Sequence, residues 1–430
     1  MLGVPSGLLS GLTTRGRSLL AAGSALAVCA VALGERDLLR AAIFLLALPL
    51  VALTVVSRTR YRLACSRQLD PARVPAGEPT SVRIRLDNVS RLPSGVLLME
   101  DALPYVLGGR PRFVLDRVEP QGVREVSYPV RAETRGRFRV GPLSVRLTDP
   151  FGLCELSRSF TSVDDLLVTP VLWPLPAVRL GGDWAGGGEA TARSVAVSGS
   201  DDAATREYRY GDDLRKVHWR STARVGELMV RREEQPFSSR ATLLLDARTA
   251  AHRGNGPGSS YEWAVSAVAS VAIVLGRAGY GLRMLGDTGL DLLPPGVPGT
   301  EGAILDVLAG TVASTGTTLL PASERLRRGG IDGVLVAVVG SLTPEEAGSL
   351  ARLRHGSAAC VAVLVDTDSW AVGSSKARER ALASYDASVA LLVGAGWRVL
   401  PVALGTSLAS VWPQASGRGA GGRPLQGAGA

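Results

Sequence analysis

One short segment of this chain concentrates side chains that could do chemistry. The segment from residue 206 to residue 236 reads REYRYGDDLRKVHWRSTARVGELMVRREEQP. Ser221 follows His218 by three residues, a spacing that on a helix places a nucleophile and a base on one face. No residue of the segment evidently orients the imidazole, and no G-x-S-x-G nucleophile elbow is present. Asp212 and Asp213 form a carboxylate pair in sequence, but adjacent residues on a helix do not face each other.

The same residues suit a structural or binding role. Gly211 permits a tight turn, and Asp212 can cap a helix over DLRKVHW. Within it, Arg215 and Trp219 stand four residues apart, so the guanidinium can lie over the indole. The sequence ELMVRRE then alternates as a strand that ends at Glu233. We therefore expect an ion-pair network or a protein-contact surface here, with a hydrolase as the alternative.

Composition limits the classes of protein that the chain can belong to. With 430 residues it is long enough for two or three domains, and 46% hydrophobic residues indicate a folded chain. Its net charge of +9 is spread along the sequence. We expect no nucleic-acid partner, and an anionic-surface binder (lipid or nucleic acid) stays a further alternative. The four cysteines and three histidines lack metal-ligand spacing, so we expect reduced, buried thiols and no zinc site.

Two apolar runs near the N-terminus predict a membrane hairpin within residues 1–60. The predicted helices cover about 18–34 and 41–56, and the polar sequence ERDLLR forms the turn between them. Arginines flank the outer ends of both runs, which places both ends and the bulk of the chain in the cytoplasm. The prediction is thus a multi-pass protein of the cell membrane. The alternative is a cleaved signal peptide formed by the first run alone.

The sequence after the hairpin changes to a period of two. TSVRIRLDN and GVREVSYPVRAE alternate apolar and polar residues, and RGRFRVGPLSVRLT resembles a hairpin turning at Gly141-Pro142. These patterns predict an antiparallel β-sandwich over residues 61–180. Residues 181–239 are then a Gly-rich linker followed by the 206–236 segment.

From residue 240 apolar strands alternate with helical patterns as far as residue 413. Continuous apolar runs such as ATLLLD, GVLVAVVG and AACVAVLVD are typical of strands buried on both faces of a parallel sheet. Thr343, Pro344 and Glu346 predict the capping box of one intervening helix. The fold class is therefore multidomain: a transmembrane hairpin, a β-sandwich and a doubly wound α/β domain, with a disordered tail over 414–430.

The combination of the hairpin, RGRFRVGP, DPFGL and the 206–236 segment resembles the bacterial family called domain of unknown function 58. The resemblance covers nearly the whole chain. It implies a von Willebrand factor A-like α/β domain, a MoxR-type AAA+ ATPase as partner and a scaffold role without enzymatic activity. The signature positions, all of which except Val217 are also the predicted interaction residues, are Arg206, Tyr208, Gly211, Asp212, Arg215, Val217, Trp219, Ala223, Arg224 and Glu233.

A von Willebrand-type domain holds a divalent cation on an Asp-x-Ser-x-Ser sequence after its first strand, which supplies one carboxylate and two hydroxyls. Here the sequence is DARTA, with Arg248 and Ala250 in place of the hydroxyls. We therefore predict a degenerate site at Asp246, with no metal and no cofactor. Asp246 is expected to pair with an arginine or to cap a helix.

Overall fold

Two apolar helices, α1 (Thr14–Leu33) and α2 (Arg36–Arg58), open the computed structural model of the chain. By length and composition both are able to cross a membrane. Gly34 ends α1 with a φ of 69°, in the left-handed region that glycine adopts at little cost. The predicted six-residue turn is wrong, because α2 already begins at Arg36. The negative charge of Asp37 in the first turn stabilises this early start, since it interacts favourably with the helix dipole.

The chain divides into two units, Met1–Val171 and Leu172–Ala430. Leu172 and Trp173 pack into the core of the second unit, although the β domain was predicted to extend to residue 180. The described residues are 11–58, 63–91, 93–149, 151–178, 180, 205–208, 217, 219–231, 240–293, 299–331, 333–354, 358–371 and 375–416.

Strands of the first unit form three small sheets around one apolar core. Along one of them Val82, Ile84 and Leu86 are fully buried while Arg83 and Arg85 are exposed, which confirms the predicted period of two. The sheet orders are β1-β3-β6, β2-β10-β7 and β5-β4-β8-β9. The strands are β1 (Leu63–Asp70), β2 (Arg73–Pro75), β3 (Pro79–Asn88), β4 (Leu97–Asp101), β5 (Arg112–Leu115), β6 (Val123–Arg131), β7 (Gly136–Val140), β8 (Leu143–Thr148), β9 (Glu155–Ser159) and β10 (Asp164–Thr169).

The predicted hairpin at Gly141-Pro142 is wrong. β7 pairs with β10, whereas β8 pairs with β4 and β9, so the chain changes sheets at this corner. The Arg67 guanidinium occupies the space below the corner and donates to the Val140 and Ser162 carbonyls at 3.1 and 3.2 Å. A Cβ on Gly141 would lie 2.6 Å from Arg67 Nη1, which explains the glycine. Alternation predicted both strands correctly but does not encode their partners.

Arg67 also anchors a buried ion network inside the β domain. Its Nη2 lies 2.6 Å from Asp101 Oδ1, and both side chains are fully buried. Nη1 donates to Asp164 at 3.0 Å, and the Tyr128 hydroxyl donates to Asp101 at 2.6 Å. Burial, together with the bond to Asp101, raises the pKa of Tyr128. The network links strands of all three sheets, so we assign it a structural role.

The second unit contains the predicted parallel sheet. Its strand order is β14-β13-β15-β16-β17, and every neighbouring pair is parallel. This is the 2-1-3-4-5 order of a doubly wound sheet. The elements are β11 (Thr205–Glu207), α3 (Trp219–Val225), β12 (Met229–Arg231), β13 (Arg240–Leu245), α4 (Ser260–Arg277), β14 (Gly281–Gly286), α5 (Glu301–Gly310), α6 (Leu320–Gly329), β15 (Val334–Val339), α7 (Pro344–Ala351), β16 (Ala359–Val365), α8 (Ser375–Gly394), β17 (Arg398–Val402) and α9 (Leu408–Val411).

Helices cover both faces of this sheet. Leu243 and Leu245 face a core shared with α4, α5 and α9, while Leu244 faces a core shared with α6, α7 and α8. All three leucines are almost completely buried, as expected for strands covered on both sides. Helix α6 was not predicted from the sequence, because most of its residues are polar and its apolar stripe is narrow. Ala322 and Leu326 are its buried apolar residues.

Candidate functional site

The carboxyl ends of the parallel strands bring charged side chains together. Asp246 follows β13, Asp287 follows β14, and Ser341 and Thr367 follow β15 and β16. In a 2-1-3-4-5 sheet the strand order reverses between the first and third strands, here β13 and β15, and ligands commonly bind at that point. The side chains at this edge therefore form the candidate site.

Arg248 occupies the centre of the site. Its Nε and Nη2 lie 2.9 and 2.8 Å from the two oxygens of Asp246, a bidentate pair. Its Nη1 lies 2.5 Å from Glu346 Oε1, and Nη2 also donates to the Ser341 carbonyl at 3.2 Å. The arginine is 3% exposed. Burial alone would lower its pKa, but the bonds to Asp246 and the nearby carboxylates raise it.

Glu346 connects this cluster to the start of α7. Its Oε2 accepts from the Thr343 backbone N–H at 2.9 Å, and the Thr343 hydroxyl accepts from the Glu346 N–H at 3.3 Å. This confirms the predicted capping box. The Oε1 atom accepts from both Arg248 and the Leu319 N–H. One buried carboxylate thus caps a helix, binds the arginine and fixes the start of α6.

Asp287 completes the negative side of the cluster. The Ser314 hydroxyl donates to its Oδ2 at 2.6 Å. The backbone of Ser314 forms hydrogen bonds to the two residues that flank Arg248 in the chain. Its N–H donates to the Ala247 carbonyl, and its carbonyl accepts from the Thr249 N–H. Three buried carboxylates, those of Asp246, Asp287 and Glu346, therefore surround one buried guanidinium.

The residues at this edge do not fit a bound divalent cation. Asp246 supplies one carboxylate, but the position of the first hydroxyl is taken by Arg248, whose guanidinium already binds both carboxylate oxygens. Repulsion between that guanidinium and a divalent cation opposes metal binding at the same carboxylate. Asp246 thus pairs with an arginine, one of the two roles predicted for it.

A small polar cavity adjoins the cluster between β15, β16 and α8. It has a volume of about 100 Å³ and is lined in part by Ser341, whose hydroxyl lies 2.8 Å from that of Thr367. Burial, with the nearby charge of Asp368, raises the pKa of Asp366 at its wall. The Tyr385 hydroxyl donates to the Leu364 carbonyl. The cavity is large enough for a few waters, not for a drug-sized ligand.

A serine and a histidine lie close together beside the cluster. His252 Nδ1 is 3.1 Å from Ser260 Oγ, and His252 Nε2 is 2.8 Å from the Asp246 carbonyl. The carbonyl can only accept, so Nε2 carries the proton and Nδ1 accepts from the serine. Burial lowers the pKa of His252, consistent with this neutral form. Ser260 is fully buried, however, so this pair positions β13 and α4 and cannot reach a substrate.

The 206–236 segment is described only in part. β11 pairs with β12, Tyr208 N donates to the Leu228 carbonyl, and Met229 N donates to the Thr222 hydroxyl. The predicted strand is thus confirmed over Met229–Arg231. Gly211, Asp212, Asp213, Arg215, His218 and Glu233 lie outside the described residues.

Trp219 is placed differently from the prediction. It begins α3, where the prediction made it the last residue of a helix, and its side chain is 71% exposed. Ala223 and Arg224 are exposed on the same helix, and Val217 just before it is buried. Arg206 lies on β11. The signature residues that are described therefore include an exposed aromatic side chain.

The sequence did not predict that Asp287, His252 or the second role of Glu346 would contribute to this site. A single Asp after a strand, or a single His shortly after the DARTA sequence, is too weak a pattern to indicate a site. Only the parallel order of the strands brings these positions to one edge.

Among curated proteins the chain is similar to the uncharacterized protein YeaD of Bacillus subtilis (strain 168), with 26% identity over 229 residues. That alignment covers 51% of this chain and 55% of YeaD, so the chain spans about half the length of this relative.

Solved structures give only distant similarity. The CARDB domain of the PF1109 protein from Pyrococcus furiosus is 10% identical, with a TM-score of 0.19, over 25% of this chain and 93% of that chain. A putative late embryogenesis abundant protein is 11% identical, with a TM-score of 0.19, over 30% of this chain and 87% of that chain. TM-scores this low support no argument about fold or function. Residues 204–399, which contain the whole 206–236 segment and most of the α/β domain, match the model of a family described as Protein of unknown function DUF58.

Proposed function

We propose that this protein is a membrane-anchored interaction or scaffold protein without enzymatic activity, and that it acts with a MoxR-type AAA+ ATPase. In this proposal the hairpin holds the chain in the cell membrane, and the β domain and a von Willebrand factor A-like α/β domain lie in the cytoplasm. The hairpin supports anchoring, because α1 and α2 expose apolar side chains such as Val28, Val31 and Phe44.

The site at the carboxyl edge supports a role without catalysis. The charged groups of Asp246, Arg248 and Glu346 bind one another and backbone groups. The nearby pair of His252 and Ser260 is buried. A catalytic group must reach its substrate, and these groups are committed to holding strands and helices together. The 2-1-3-4-5 sheet supports the von Willebrand factor A-like assignment at the level of the doubly wound fold only.

One observation carries the interaction role: the exposure of Trp219. An indole that is 71% exposed, within the region that matches the family, would contribute favourable free energy to binding if a partner buried it. Val225 and Leu228, from the same 206–236 segment, are exposed as well. Tryptophan and arginine are the side chains that most often dominate protein interfaces, and the segment is rich in arginine.

Photo-crosslinking in cells tests this function. A benzoylphenylalanine in place of Trp219 is expected to crosslink to the AAA+ ATPase, and the same group in place of Tyr105 is the matched control. Tyr105 is also an exposed aromatic, 96% exposed, but lies in the β domain. In addition, Trp219→Ala is expected to weaken binding of the ATPase by roughly 30-fold, the effect of an interface hot spot. Equal crosslinking at both positions, or unchanged binding by Trp219→Ala, would contradict the proposal.

A further inference from the structure

The described residues of the DPFGLC sequence, Asp149 and residues 151–154, belong to a loop that is fixed to the end of the membrane hairpin. Thr13 N donates to the Leu153 carbonyl at 2.9 Å, and Glu155 N donates to the Gly11 carbonyl at 2.8 Å. Leu12 and Cys154 form an antiparallel bridge between these bonds. The segment just before α1 therefore pairs with the β domain like a short strand.

Side chains make the same connection. The Thr13 hydroxyl donates to the Gly152 carbonyl at 2.6 Å and accepts from Gly16 N at 3.2 Å, so one residue caps α1 and holds the loop. A Cβ on Gly16 would lie 2.3 Å from the Leu153 carbonyl oxygen, so only glycine permits this approach. The loop contacts the backbone of α1 directly.

The loop itself is closed by Asp149. Its Oδ1 accepts from Cys154 N at 2.6 Å, and its Oδ2 accepts from Phe151 N at 3.0 Å. Gly152 N donates to the Asp149 carbonyl. These bonds fix the backbone on both sides of Phe151, whose side chain is nevertheless 65% exposed.

The loop lies level with exposed apolar residues of α2. Cys154 Sγ is 3.9 Å from the Pro49 carbonyl, and Leu153 and Cys154 form a small core with Ala52 and neighbouring leucines of both helices. Leu50 and Val51, in the same turn of α2, are 51% and 58% exposed. These two side chains belong to the apolar outer surface of the hairpin.

Helix length sets the depth of this turn. The 20 residues of α1 span about 30 Å at 1.5 Å per residue, which equals the thickness of the hydrocarbon core. The hairpin can therefore cross the membrane only if its first turn, which the loop contacts, lies at the lipid interface. Arg15 is exposed on that turn, 3.7 Å from the Cβ position of Gly152, where its charge suits lipid phosphates.

We propose that Asp149 and residues 151–155 form a third membrane contact, in which Phe151 inserts its ring into the interface of the lipid leaflet nearest the β domain. This inference rests on the proposed anchoring of the hairpin. Aromatic rings are favoured at this level of a membrane protein, and Asp149 holds the loop in a fixed shape before it meets lipid. The contact fixes the height and tilt of the β domain over the bilayer.

Depth-dependent fluorescence quenching tests the proposal on the full chain. The protein is reconstituted in vesicles of phosphatidylcholine and phosphatidylglycerol, with an environment-sensitive fluorophore on one cysteine at a time. The variants Phe151→Cys and Tyr105→Cys are made in a Cys29→Ala background, which without a new cysteine measures background labelling. Native Cys29, exposed on α1, reports on the hairpin.

Tyr105 is the matched control because it is an exposed aromatic at the opposite end of the same sheet. Asp101 pairs with Leu143 and Thr148 pairs with Glu155, so the two ends of β8 are separated by five residues, or about 17 Å. The two positions therefore report on opposite ends of the same sheet. Retained far-ultraviolet circular dichroism shows that each labelled variant is folded.

The expected result is that nitroxides near the glycerol end of the acyl chains quench the probe at 151 several-fold more than the probe at 105. Aqueous iodide is expected to show the reverse order. If the probe at Cys29 is quenched by lipid but the probe at 151 is not, the third contact is wrong while the anchoring stands. If Cys29 is not quenched either, both proposals fail. Shielding of residue 151 from iodide without lipid quenching indicates a protein contact and also contradicts the inference.

Discussion

Arg248 binds both carboxylate oxygens of Asp246, with Nε and Nη2 at 2.9 and 2.8 Å, although only one residue separates the two in the chain. The third arm of the guanidinium reaches Glu346, at the start of a helix 98 positions later in the sequence. The guanidinium of Arg248 thus lies between carboxylates at the edge of the sheet where doubly wound folds commonly bind ligands.

Removing this cation is expected to destabilise the α/β domain strongly. Arg248→Ala leaves the carboxylates of Asp246 and Glu346 buried without their partner, so the free energy of unfolding should fall by about 3–5 kcal/mol. Arg277→Ala is the matched control, because Arg277 pairs with Glu301 at the surface and is 70% exposed. That variant should lose less than about 1 kcal/mol. Urea unfolding of the full chain in detergent measures both, and equal losses would refute the role of Arg248.

A smaller side chain at the same position is expected to create a cation site. Arg248→Ser removes the positive charge and adds a hydroxyl beside Asp246, with Asp287 and Glu346 nearby. Oxygen ligands of this kind suit Mg²⁺ or Mn²⁺. Mn²⁺ should therefore raise the unfolding temperature of Arg248→Ser but leave that of the native protein unchanged. The double variant Asp246→Asn, Arg248→Ser should lose the response, and a response that persists would place the metal elsewhere.

Stability should depend on pH through His252. Burial lowers its pKa below the ordinary value of 6.5, so between the two values the unfolded chain binds a proton that the folded chain does not. Stability then rises with pH through this window, by at most about 1.4 kcal/mol per pH unit, and this contribution is complete above 6.5. His252→Gln keeps an N–H donor and should flatten that part of the curve. A curve of unchanged slope in chemical unfolding at a series of pH values would show that another group titrates.

The β domain should depend on Arg67 in the same way. Arg67→Met leaves Asp101 fully buried, with the Tyr128 hydroxyl as its remaining side-chain donor among the described residues, so the free energy of unfolding should fall by about 3–5 kcal/mol. Arg85→Met, on the exposed side of β3 with its side chain 51% exposed, should lose less than about 1 kcal/mol. Thermal unfolding monitored by circular dichroism compares the two. Similar losses would mean that the buried network contributes no more than a surface pair.

The sequence predicted those elements whose side chains alternate or repeat against a core. The period of two in β3, the apolar runs of β13, β15 and β16, and the capping box of Thr343 and Glu346 are all confirmed. Each is a local pattern that one segment carries by itself.

The prediction that the thiols are buried is confirmed only in part. Cys154 and Cys360 are buried, and burial raises the pKa of Cys360 to about 12, but Cys29 is exposed on α1. An apolar segment can be covered either by protein or by lipid, and its sequence does not distinguish the two.

The tertiary structure decided which patterns meet. The alternation in β7 and β8 predicted a hairpin. In the structure β7 pairs with β10 and β8 pairs with β4, and Arg67 donates to the Val140 carbonyl at the corner between them. Asp246 and Arg248 are neighbours in DARTA, and the loss of the two hydroxyls is evident from residue types alone. Glu346 could not be predicted as their partner, because ion pairing over such a separation follows from the order of parallel strands. Sequence thus determined the chemistry that each segment offers, and strand order determined which of those groups share one buried, low-dielectric space.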